Sequence, residues 1–74
     1  MGRIAAIGTA SLVQGFALAG AVAVVAETPE EARRAWGALA PDVVLVFLTP
    51  PAAEALGARV DDPSSTRLTA VLPP

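Results

Sequence analysis

The sequence predicts a single small α/β domain: a parallel four-stranded sheet, in the order 2-1-3-4, flanked by helices. Three observations lead there. Residues 4–20 join an apolar run, a glycine and an amphipathic stretch without one charged side chain, Thr28-Pro29-Glu30-Glu31 has the residues of a helix start, and Val43 to Leu48 is the most hydrophobic run in the chain. Strands that alternate with helices through right-handed crossovers form a parallel sheet with helices on its faces.

Ile4 to Ile7, closed by Gly8, reads as a strand buried on both faces. Thr9 and Ser11 offer hydroxyls that can cap the next helix, in which Leu12, Phe16 and Ala19 repeat at i, i+4 and i+7 and Gly20 marks the stop. Val22 to Ala26 is a β-branched run too short for a helix and forms strand two. Helix two starts at Thr28, with Pro29 in the first helical position and Glu31 placed to close a capping box. Its Ala32, Ala35, Trp36 and Leu39 share a face that turns Trp36 to the sheet, and Glu30 is in reach of Arg33 or Arg34 on the outer side. Pro41 stops this helix and Val43 to Leu48 is the central strand three. Thr49-Pro50-Pro51 starts a short third helix that ends before Gly57. Arg59 to Thr66, rich in Asp, Ser and Pro, reads as a mobile surface loop, and Leu68 to Leu72 as strand four.

With 74 residues the chain fits one domain, residues 1–74, near the size at which one core gives only a few kcal/mol of net stability. Such a domain gains from a partner. No cysteine is present for a disulfide or thiolate metal site, and no histidine for neutral-pH acid/base chemistry or metal binding. The net charge is −2 and the five basic residues, all arginine, are scattered at positions 3, 33, 34, 59 and 67, which gives no basic stripe for nucleic acid. With one Trp, two Phe and no Tyr, the core must be built from Ala, Val and Leu.

Ile4 to Ala26 is uncharged and longer than the roughly 20 residues that span a bilayer. Gly8, Thr9, Ser11, Gln14, Gly15 and Gly20 interrupt it, and Ile and Val cluster at its two ends, where strands place them. It lacks aromatic belts and has only Arg3 as a positive flank, so the α/β reading is preferred to a membrane anchor.

Gly8 to Ser11 falls where doubly wound folds place a phosphate-binding turn, yet neither Gly-x-Gly-x-x-Gly nor a Walker lysine is present. A phosphoryl-accepting receiver needs an aspartate at the end of strand three, where Thr49 stands, and acids after strand one, where Gly8-Thr9 stand. The acids Glu27, Glu30, Glu31, Asp42 and Glu54 lie mostly at helix starts, where the helix dipole accounts for them, and Asp61 and Asp62 read as solvated loop. No residue is assigned a catalytic, cofactor-binding or metal-binding role.

The strand-Gly pattern Arg3-Ile-Ala-Ala-Ile-Gly8 followed by Val13-Gln-Gly-Phe-Ala-Leu-Ala-Gly20 resembles the start of the F subunit of the V-type and archaeal-type (A-type) rotary ATPases. The likeness continues through Val24-Val25, Thr28-Pro-Glu-Glu-Ala32, Val44-Leu-Val-Phe-Leu-Thr49 and Ala70-Val-Leu-Pro73. It implies a small Rossmann-like, receiver-like domain that is a non-catalytic rotor subunit without a cofactor. It further implies a central-stalk coiled-coil subunit as partner and, through that, the ATPase catalytic head of a proton- or sodium-transporting complex. The place implied is cytoplasmic, peripheral to the membrane as part of the complex; weak homo-oligomerisation in isolation is also compatible. Thr9, Ala10 and Ser11 stand where the family usually carries acids, and the chain is expected to lack the family's C-terminal tail. Exposed turns at one end of a parallel sheet are its usual working edge, which nominates Gly8, Ser11, Gln14 and Gly15 as partner-binding residues. The alternative is a small flavodoxin-like module that binds a phosphate-bearing ligand at Gly8 to Ser11.

Overall fold

A computed structural model describes residues 2–57 and 67–73. In chain order the elements are β1 (Arg3–Gly8), α1 (Ala10–Leu18), β2 (Val22–Val25), α2 (Pro29–Ala38), β3 (Val43–Leu48), α3 (Pro50–Leu56) and β4 (Leu68–Val71). All strand pairings are parallel and the order is β2-β1-β3-β4, as the alternation of elements requires. The expected loop at Arg59 to Thr66 lies outside the described residues. Among those residues, no helix is long and apolar enough to cross a membrane.

The two central strands carry the core. Ala5 and Ile7 of β1 sit level with Val46 and Leu48 of β3, all four fully buried. They pack with Ala32 and Ala35 of α2 and Ala52 and Leu56 of α3, mostly small side chains that let the helices lie close on the sheet. On the opposite face, α1 packs on β1 and β2 with Val13 as its buried residue. The three-helix layout thus puts two helices on one face and one on the other.

The helix caps depart from expectation at all three helices. Thr28 caps α2 as anticipated, its Oγ1 accepting from the Glu31 N–H at 3.1 Å. The Glu31 carboxylate, however, accepts from the Glu27 N–H at 2.8 Å, one residue before the reciprocal position of a capping box. Thr9 and Thr49 occupy the N-cap positions of α1 and α3 without a side-chain cap bond. At the end of α1, Gly20 has φ +93°; its N–H donates to the Ala17 carbonyl and the Ala21 N–H to that of Phe16, a Schellman stop.

The face of α1 is also a correction. Leu12 is 44% exposed and Ala19 lies past the helix end and is exposed, so the i, i+4, i+7 stripe is not the buried centre of the helix, a place taken by Val13. A helix turns about 100° per residue, which puts Leu12, Phe16 and Ala19 on the flank to one side of Val13. That flank faces β3, because the Phe16 ring stacks on Phe47 with centroids 4.9 Å apart and planes at 27°.

Candidate partner-binding surface

The carboxyl ends of β1 and β3 meet at Gly8 and Thr49, where the order of strands reverses and doubly wound folds hold their ligands. Here the space beside Gly8 is already filled. A Cβ on Gly8 would stand 2.8 Å from the Thr49 Oγ1 and 3.0 Å from its Cβ, and Thr49 is itself buried. The glycine is therefore explained by a neighbouring side chain, with no approaching phosphate needed. A cleft of about 170 Å³ at this end is lined by Thr9, Glu27, Thr28 and Thr49 among apolar residues. It presents hydroxyls and a carboxylate, with no basic side chain in the lining. This is a poor setting for the phosphate-bearing ligand of the alternative reading.

The four residues nominated for partner binding separate into two groups. Gly8 is buried, and its carbonyl accepts from the Ala26 N–H at 2.8 Å, so its contribution there is to the packing of the strand ends. Ser11, Gln14 and Gly15 are all exposed on α1, and nothing stands within 4 Å of the position of a Cβ on Gly15. They bring hydroxyl, amide and bare backbone to the surface of a helix that carries no charged residue. Leu18 in the same helix is 92% exposed.

Sequence reasoning missed a second feature of this helix's surroundings. A cleft of about 580 Å³ opens beside the C-terminal end of α1, lined by Ile4, Phe16, Ala19, Ala21, Val22 and Phe47 together with Gly2, Arg3 and Gly20. Arg3 at its margin is held by Asp42, Nε to Oδ2 at 2.9 Å. The signal in the sequence was the Leu12, Phe16, Ala19 stripe itself, which marks a face that contacts another element without saying which one.

Charge is segregated. In α2, Glu30 pairs with Arg33 at 3.4 Å, and Glu27, Glu31 and Arg34 lie at or near the same helix. The α1 side has none of these groups.

Compared with known families, residues 4–73 match the model described as ATP synthase (F/14-kDa) subunit. No characterised protein and no solved structure matches the chain.

Proposed function

The chain belongs to the ATP synthase (F/14-kDa) subunit family, and from that premise we propose that it is a non-catalytic subunit of the central stalk of a rotary ATPase. In this reading it binds the coiled-coil stalk subunit of a proton- or sodium-transporting V-type or A-type complex, and couples or regulates rotation without performing chemistry. The complex holds it at the cytoplasmic side, peripheral to the membrane. The observation that carries the reading is the family match, which runs over residues 4–73 of 74.

The physical setting supports it. A domain of this size has a small core, and binding a partner adds directly to the stability of its folded state. Helix α1 provides a surface with no charge to desolvate, and Ser11, Gln14 and Gly15 on it remain the proposed contact residues, with Gly8 buried at the strand end behind them.

The test is the affinity of the purified chain for the central-stalk coiled-coil subunit from the same cell. A stable one-to-one complex is expected. Absence of binding between two folded partners would overturn the reading.

A further inference from the structure

Among the described residues, β2 and β4 are the two edges of the sheet. β4 is followed after one residue by Pro73 and Pro74, and proline is one of the devices that close a sheet edge to pairing. β2 has no such guard: Val22-Ala23-Val24-Val25 carries no charge, no proline and no break in its register with β1. The Ala26 N–H donates to the Gly8 carbonyl, and alternate residues of a strand turn both backbone groups to the same neighbour, so Val22, Val24 and Ala26 face β1. Ala23 and Val25, both exposed, present their N–H and C=O groups outward.

We infer that β2 pairs with β2 of a second copy, antiparallel about a twofold axis at Val24, and that this homodimer is a state of the free chain. The spacing of the two outward residues makes the edge complementary to itself. Ala23 of each copy stands opposite Val25 of the other and exchanges both backbone hydrogen bonds with it, while Val24 faces Val24 at the axis.

Both helix layers fit that axis. Helix α1 packs on β1 and β2, so its two copies stand about 10 Å apart across the joined edges, the distance of packed helices. Its Phe16 flank faces β3, which turns Ala10, Gln14, Ala17 and Leu18 toward the free edge. Gln14 is the middle residue of α1 and lies near the axis, where two carboxamides donate to and accept from each other, and the 92% exposed Leu18 is covered. On the other face α2 packs on β1, so its two copies run antiparallel about 14 Å apart, three strand spacings. Glu31 and Arg34 line the space between α2 and β2, on the flank opposite the contact of Arg33 with α3. Arg34 has no ion pair among the described residues. Across a gap of that width a long acid and a long base reach each other, and the antiparallel order sets Glu31 toward Arg34 of the second copy. An edge and a charge pair that are each complementary to themselves select a second copy over the strand of another protein. Gln14 is also proposed to meet the stalk subunit, so the dimer and the stalk complex exclude one another.

The experiment measures the mass of the purified full chain by sedimentation from about 1 μM to about 1 mM, a range suited to an interface of one short strand and two helix flanks. The mass is expected to double. Arg34→Glu alone and Glu31→Arg alone each put like charges across the axis and are expected to weaken the dimer by about tenfold or more. Their equimolar mixture restores both acid–base pairs and is expected to dimerise about as well as the wild type. Circular dichroism verifies that each variant is folded. In a chain without cysteine, Val24→Cys is expected to form a disulfide between copies under mild oxidation, since facing residues at such a position have Cα atoms about 4.5 Å apart; Val71→Cys on β4 is expected to form none. A wild type that stays monomeric throughout overturns the inference. So does a dimer that the charge variants do not weaken or that their mixture does not restore, and so does one that Val71→Cys links and Val24→Cys does not. None of these outcomes bears on the proposed function, whose test uses the stalk subunit.

Discussion

The side chain of Thr49 fills the space in which a Cβ of Gly8 would lie, and so ties the end of β3 to the end of β1. Gly8→Ala therefore forces two buried strand ends apart, and overpacking of this kind costs about 1–3 kcal/mol. Chemical denaturation should show that loss. The double variant Gly8→Ala/Thr49→Ala should recover part of it, because Thr49 Cγ2 and Oγ1, the two atoms nearest the added Cβ, are removed while the Thr49 Cβ stays, and the coupling in the cycle measures the contact. Additive effects of the two substitutions would mean that the strand ends relax independently.

Arg67 joins three carbonyls that no local pattern relates. Its Nε donates to Val43 at 3.1 Å, and its Nη2 to Leu39 at 3.2 Å and Ala40 at 2.9 Å, while the guanidinium lies 5.6 Å from the Trp36 ring centroid. Arg67→Ala should cost about 2–3 kcal/mol, since charged donors leave several carbonyls behind and a cation–π contact is lost. Arg67→Lys should recover little, because one ammonium cannot span the fork geometry. Trp36 is the only tryptophan, so the shift of its fluorescence on either substitution reads the site directly.

The element order was legible because strand runs and helix caps are local signals: Thr28-Pro29 is a helix start by its own chemistry, and Val43 to Leu48 is a β-branched apolar run too short for a helix of ordinary length. What was not legible depends on residues distant in the chain. Arg67 is remote in sequence from its acceptors, and the reason for Gly8 stands at Thr49. The orientation of α1 was ambiguous for a different reason. Ala, Leu, Val and Phe occupy most of its circumference, so more than one stripe satisfies the helical period, and only packing on β1 and β2 selects Val13 for the inside. Among the nominated contact residues, exposure of Ser11, Gln14 and Gly15 follows from that orientation, whereas burial of Gly8 follows from the pairing of strand ends.

The threonine N-caps of α2 and α1 should respond differently to alanine. Thr28 accepts the Glu31 N–H, so Thr28→Ala should lower stability by about 1 kcal/mol. Thr9 makes no such bond and is half-buried, so Thr9→Ala should stay within about 0.5 kcal/mol of wild type. Thermal melts of the two variants side by side check the contrast; equal losses would show that Thr9 caps α1 in solution.

Leu18 and Val46 are both apolar, yet their surroundings are opposite: Leu18 is 92% exposed and Val46 is fully buried between the sheet and the α2 and α3 layer. Val46→Ala should cost about 2–3 kcal/mol, the lost transfer free energy plus that of a cavity whose small neighbours cannot collapse to fill it. Leu18→Gln should change stability by no more than about 0.5 kcal/mol, since it removes no intramolecular contact of consequence. Measured at dilute and concentrated protein, the second variant is the more informative of the two. A loss on Leu18→Gln that grows with concentration would show that the leucine is covered by self-association in solution, because only a contact between chains makes stability depend on concentration.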